Sequence, residues 1–435
     1  AVMGSKNLKA IAVRGSGRKE IAEPKALNAV AKWLSDSYTE TWLKGLRQDG
    51  TANGVYQHLI KGLPTKNFQQ GTFEGGWEEI TGTRMTETIL IDRDNCYACP
   101  VHCKRVVEVE DDQHSVDPTY GGPEYETIGA FGSSCGVNDL KAIAKANELC
   151  NAYGLDTISA GVTIAWAMEC YDRGLLTSAD TGGIELNFGS ADAMVQMVEL
   201  IAKREGFGDL LAEGSYHAAQ EIGRGTGQYV MHAKGQEVPM HEPRVKFALG
   251  VGYAVSPTGA DHMHNIHDVE YDTAEKIAGM HPYGILEPLK YNDLSTEKMH
   301  LAATVIARST LDNVLGFCMF VSGVFDPDHL VEMVRSITGW DTNLYELLRA
   351  GERGYIMARA FNAREGFTAA DDKLPERFFQ AYTEDPSEDN VLPQAEFDQA
   401  RKDFYSILGW DHETAAPTEW KLRELGLGWV AEAIR

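Results

Sequence analysis

Three cysteines fall within eight residues, in the run Cys96-Tyr-Ala-Cys99-Pro-Val-His-Cys103. Spacing this short lets adjacent turns aim several sulfurs at one centre, as an iron–sulfur cage requires. Structural zinc more often draws its ligands as two close pairs, and no second pair follows here. On spacing alone an iron–sulfur cluster, a zinc ion and chance clustering all stay open. Three thiols need a fourth ligand. Cys318, in Asp312-Asn-Val-Leu-Gly-Phe-Cys318, is the distant candidate, because Gly316 permits close backbone approach to a cofactor. Taken by itself, Cys318 reads as a core thiol. Cys135, Cys150 and Cys170 lie on or beside helical patterns and read as packing.

The chain that must position these groups has 435 residues, 43% of them hydrophobic and 24% charged, enough to bury more than one core and form two or three domains. Its formal charge of −24 repels phosphates, and Lys and Arg never gather into a basic stripe, which argues against nucleic acid as a partner. No apolar run is long enough to span a membrane and no secretory leader opens the chain, so the expected place is the cytoplasm. Seven cysteines, an odd count in a long chain, do not suggest a disulfide framework.

The alternating apolar positions Leu8, Ala10, Ala12 and Val13 predict a strand without neighbours, whose partner must come from elsewhere. Helical periodicity follows from Pro24 to Gly50, then irregular, glycine- and aromatic-rich sequence from Asn53 to Asp94. Asn138 is expected to cap a helix ending at Gly154, and Asp156 one ending at Gly174; Ser190 starts a third. The two residues between Gly154 and Asp156 make that junction very tight. Residues 228–268, with Pro239, Pro243 and Pro257 and a run of histidines, read as loops lining something. Helices resume after Ser295, with Thr342 placed to cap a long one, and the tail from Ala400 is again helical.

The set AVMGSKNLKAIAVRG, the cysteine run, GGPEYETIGAFGSSCGVNDL, NELCNAYGLDTISAG, SPTGADH, NVLGFC, SITGWDTNLYELLRAGERGY, FNAREGFTAADDKLPERF and LGLGWV, in this order over nearly the whole chain, resembles the tungsten-dependent aldehyde:ferredoxin oxidoreductases. The resemblance implies a mainly α fold, two packed helical domains preceded by the last strand of a missing α+β domain. It divides the chain into a remnant at 1–20, a helical domain at 21–215 with the cysteine run, and a helical domain at 216–435 with the histidine loop and Cys318. It further implies a [4Fe-4S] cluster on Cys96, Cys99, Cys103 and Cys318, and tungsten or molybdenum held by two pyranopterins, with magnesium between their phosphates as a further candidate.

The family's pterin-binding pattern Asp-x-x-Gly-Leu is matched by Asn151, Gly154, Leu155 and Asp156, and again by Asn313, Gly316 and Phe317, with asparagine in place of aspartate both times. An amide oxygen still accepts a hydrogen bond, and Asp312 is placed to compensate if the second turn shifts by one residue. Without the family, the first of these turns is a glycine cap followed by an aspartate cap. Ala1, where the missing domain would join, is also assigned to the cofactor. Glu126, the second glutamate of Pro-Glu-Tyr-Glu, and His262 are the implied acid–base pair, with His264 and His267 as alternatives for a merely structural histidine. The implied reaction takes an aldehyde to an acid and passes electrons to ferredoxin or an electron-transfer subunit, in a homo-oligomer or a larger complex. A related branch reduces the ring of an aromatic acyl thioester, for which the sequence offers only Arg244 and Lys246 as a basic entrance. A non-catalytic iron–sulfur subunit is the third reading.

Overall fold

The computed structural model describes residues 2–17, 19–383 and 390–434. It is mainly helical, with three two-stranded antiparallel ribbons. Among the described residues no helix is long and apolar enough to cross a membrane.

The helix Leu140–Tyr153 starts at Asp139, whose carboxylate accepts the amides of Lys141 and Ala142, so the cap lies one residue beyond Asn138. It ends at Gly154, left-handed at φ +73°. Two residues on, Asp156 accepts the Ser159 amide and opens Thr157–Asp172. That helix is buried at every position from Ala160 to Cys170, as an apolar stretch enclosed on all sides must be. Its contact with the π-helical turn Gly129–Ser133 explains why 161 is glycine: a Cβ there would lie 2.6 Å from that of Ala130.

A second group of helices is built on Thr296–Leu315, capped by Ser295 and ended by Gly316. It packs along Leu344–Arg364 and Gln394–Leu408. Asn343 caps the long helix rather than Thr342, whose hydroxyl donates instead to Glu346 at 2.9 Å. The apolar pattern from Pro24 to Gly50 is two helices, Pro24–Ser37 and Leu43–Asp49, not one. Between them Ser37 and Thr41 donate to the carbonyls of Trp33 and Tyr38, the local competition that ends helices.

Two stretches differ from expectation. Residues 8–16 are neither strand nor helix and are exposed, and Val2–Ser5 form a single helical turn; alternation cannot make a strand without a partner edge, and none pairs with it among the described residues. The histidine-rich stretch 228–268 contains the buried helix Phe247–Val255. Its first amides, those of Ala248 and Leu249, are taken by the Asp268 carboxylate, some twenty residues downstream, so no local capping signal marks it.

Candidate functional site

The cysteine run is the tip of a ribbon. Leu90–Asp94 pairs with Lys104–Val107, and the closing pair Asp94–Lys104 holds the two ends of the loop together. Arg105, buried below, donates to the carbonyls of His102 and Cys103 and to those of Arg47 and Gln48 at the end of the helix Leu43–Asp49. Arg47 returns two bonds to the carbonyls of Pro100 and Val101. Ala98 and His102 are left-handed, at φ +55° each, which turns the backbone sharply between successive thiols.

Cys318 arrives from the other group of helices, directly after the Gly316 cap. Its segment contributes Val321 and Phe325 to a small apolar cluster that includes Val101 and also gathers Cys99, Cys103 and Phe317. The structure thus brings the distant thiol to the other three. Burial, then the nearby Glu124, Cys318, Cys99 and Cys96, pushes the Cys103 thiol up to about 11. All seven cysteines are unpaired; Cys135, Cys150 and Cys170 are buried, whereas Cys96 and Cys318 are exposed.

Glu124 and Glu126 face different ways from one short helical segment. Glu124 accepts from the Thr51 hydroxyl and neighbours Cys103 and Arg105. Glu126, two residues on and so within about 7 Å of backbone, turns to the histidine loop. Its Oε2 accepts the Met240 amide at 2.7 Å. Its Oε1 lies 3.1 Å from His241 Nε2 and 3.5 Å from His262 Nε2, buried and without a well-aligned hydrogen bond. Close approach of the two segments requires Gly129, since a Cβ there would sit 2.4 Å from Met240 Cγ.

A second layer stands behind this trio. Lys246 Nζ lies 2.6 Å from Gln57 Oε1, 2.7 Å from His241 Nδ1 and 3.5 Å from His267 Nδ1. His267 Nε2 is 3.2 Å from the His262 carbonyl. Burial first, then the Lys246 charge and His262, holds His241 well below the usual imidazole range; burial, His241 and Lys246 do the same to His267. Both imidazoles are therefore neutral at pH 7. Burial also brings the Lys246 ammonium down to about 8, against the opposing pull of Glu270, Asp268 and Glu126.

A family model described as aldehyde ferredoxin oxidoreductase, domains 2 and 3, matches residues 26–427. The chain belongs to the aldehyde ferredoxin oxidoreductase family. It is 37% identical to the tungsten-containing aldehyde ferredoxin oxidoreductase of Pyrococcus abyssi, over 98% of this chain and 68% of that protein. The protein of the same name from Pyrococcus furiosus is 35% identical over the same shares. A WOR-like subunit of an aliphatic sulfonate oxidoreductase from Pyrococcus furiosus is 28% identical over the whole of this chain. Among solved structures, the active-site complex BamBC of benzoyl coenzyme A reductase matches with a TM-score of 0.72 and 19% identity, over 99% of this chain and 69% of that one. At that identity the likeness speaks for the fold.

The enzymes of this family are oxidoreductases, and the residues present suit a cluster and a pterin. Four reduced thiols sharing one neighbourhood form a donor set for iron–sulfur ligation. Gly154 and Gly316 are both left-handed helix ends with open space where a Cβ would stand, so each turn offers its backbone to a ligand. Leu155 and Phe317 are half-buried beside them. The side chains differ from expectation. Asn151 turns its amide nitrogen to the Asn147 carbonyl at 2.9 Å, and Asp156 caps its helix through one carboxylate oxygen. Asn313 is exposed, whereas Asp312 is buried in an ion pair with Arg308 at 3.3 Å. Ala1 lies outside the described residues.

Arg244 and Lys246 form no entrance. Arg244 is buried, bonded to Glu242 through two nitrogens and lying over the Tyr382 ring, and Lys246 is buried behind His241. His264 pairs with Asp261 at 3.1 Å and stands apart from the trio. Sequence reasoning missed His241, Gln57 and the inward role of Lys246. The run His241-Glu-Pro-Arg244 between prolines was a usable signal for the first, but nothing local marks Gln57, on a 3-10 stretch far upstream.

Proposed function

We propose that this chain carries the proton-handling and electron-exit groups of an enzyme that oxidises aldehydes to carboxylic acids and passes the electrons to ferredoxin or a partner subunit. The observation that carries the reading is the uncommitted Glu126 Oε1, buried between two imidazoles and two residues from a carboxylate that neighbours the cysteine loop. In the net reaction one C–H bond breaks, one C–O bond forms from water, and two electrons and two protons leave. A tungsten or molybdenum bis-pyranopterin, when bound, supplies the two-electron acceptor, and a [4Fe-4S] cluster the one-electron exit. The pterins would be held by Asn151, Gly154, Leu155 and Asp156 and by Asn313, Gly316 and Phe317, and the cluster by Cys96, Cys99, Cys103 and Cys318.

The chain's own groups do the rest. Glu126 Oε1 accepts the proton of the attacking water, while its other oxygen accepts the Met240 amide. His262 Nε2, on the far side of Oε1, holds the substrate oxygen or takes the second proton. Access of bulk water to Glu126 is limited by its mostly buried side chain and the buried neighbours Tyr125, Met240 and Tyr253. Arg244 and Lys246, the basic residues that the sequence offers to an acyl thioester, are buried and paired inward, which favours the aldehyde reading.

The test is aldehyde-dependent reduction of a low-potential viologen by anaerobic, metal-replete protein. Turnover is expected, and Glu126→Gln should lower kcat by about 10²–10⁴-fold. No rate with any aldehyde in a sample holding its metals would refute the reading.

A further inference from the structure

We infer that Lys246 is a positioning residue that fixes the tautomers of His241 and His267, and through them aims Glu126 and holds the loop of His262. This rests on the proton-handling role proposed for Glu126 and His262, and adds the device that sets them.

An ammonium has three N–H bonds and no lone pair, and here it meets three acceptors: Gln57 Oε1, His241 Nδ1 and His267 Nδ1. His267 settles its own tautomer from the other end. Its Nε2 faces the His262 carbonyl, which can only accept, so Nε2 carries the proton and Nδ1 is left bare toward Lys246. His241 Nδ1, 2.7 Å from the ammonium, must likewise be bare. Its proton is then on Nε2, which faces Glu126 Oε1 at 3.1 Å.

One buried charge thus has two outlets. Through His241 it presents an N–H to the carboxylate; through His267 it supports the N–H that holds the backbone of His262. Removing the charge frees His241 to carry its proton on Nδ1, toward Gln57. Nε2 and Oε1 would then confront each other as two lone pairs, and Glu126 would turn aside. The site is also braced mechanically: Lys246 immediately precedes the helix Phe247–Val255, whose leading amides are clamped by Asp268, itself paired with Lys298 at 3.0 Å. The titratable groups facing Lys246 are His241, His267, Glu126, Asp268 and Glu270.

The experiment is long-range proton–nitrogen correlation NMR on the chain labelled with 15N-histidine, which reports each imidazole's tautomer without any cofactor. At pH 7, His241 and His267 should show the neutral Nε2–H pattern. Lys246→Met should mix both patterns, Lys246→Arg should largely restore them, and raising the pH of the unaltered chain from 7 to 9 should reproduce the Met result where that variant fails to fold. In the metal-replete enzyme, Lys246→Met should cut kcat about 10–100-fold with KM within about twofold. An Nδ1–H pattern at pH 7, or a pattern indifferent to both the substitution and the pH, overturns the inference even in an active enzyme. The predicted pattern in an enzyme that oxidises no aldehyde would overturn the proposed function instead, leaving the tautomer assignment in place.

Discussion

At the scale of residues, the account turns on which atoms lack partners and which have too many. Lys246 provides a pH dependence of definite sign. Its folded-state value, near 8, lies below that of an unfolded lysine, about 10.4, so between these the unfolded chain binds more protons. The stability of the unaltered protein relative to Lys246→Met should therefore rise as pH climbs through that window, while turnover falls as the ammonium is lost; paired thermal melts and rate profiles check both. For the thiols, Cys103→Ser and Cys318→Ser should each leave less than four irons per chain after reconstitution, whereas Cys150→Ser, at a buried thiol outside the loop, should not. Iron assay with visible absorbance decides. Cys96, Cys99 and Cys103 were legible from spacing alone, since short separations need no fold to bring them together. Cys318 is more than two hundred residues away, and only folding brings its segment into the apolar cluster that Val101, Cys99 and Cys103 share. Glu126 and His262 could be named from family resemblance but not from residue chemistry, and Gln57 from neither.

At the scale of elements, helix existence was readable and helix ends less so. Asp139 in place of Asn138, and Asn343 in place of Thr342, are one-residue errors among side chains of nearly equal capping ability. Asp139→Ala should cost about 1 kcal/mol, seen as a lower melting temperature, and Asn138→Ala much less. The helix Phe247–Val255 was hidden for a different reason: its capping carboxylate, Asp268, is remote in sequence. Where Thr296–Leu315 and Leu344–Arg364 cross, a Cβ on residue 351 would lie 2.1 Å from the Ala307 carbonyl. Rigid backbone cannot yield as a side-chain tip would, so Gly351→Ala should destabilise by about 1–3 kcal/mol or more, against near neutrality for Gly279→Ala, which has open space around it. Thermal denaturation of the two variants separates these outcomes. The opening segment forms no strand here, since alternation makes one only beside a partner edge and none lies beside it among the described residues.

For the whole molecule, the mainly helical architecture and the family were both legible, because nine motifs in order constrain a chain far more tightly than any one of them. The likeness extends over 98% of this chain and 68% of the Pyrococcus abyssi protein, so the cysteine loop and the Glu126–histidine cluster both lie in sequence that the chain shares with it. What the folded chain adds is their adjacency: Glu124 beside the thiols and Glu126 beside the histidines, on one turn. Under the function proposed above, that adjacency links proton removal to electron exit. Low-temperature electron paramagnetic resonance of the oxidised, anaerobic holoprotein mixed with one equivalent of aldehyde tests it most directly. The account predicts a reduced-cluster signal that depends on aldehyde and is strongly diminished by Glu126→Gln; a signal of equal size in that variant, or none in the metal-replete parent with any aldehyde, would contradict it.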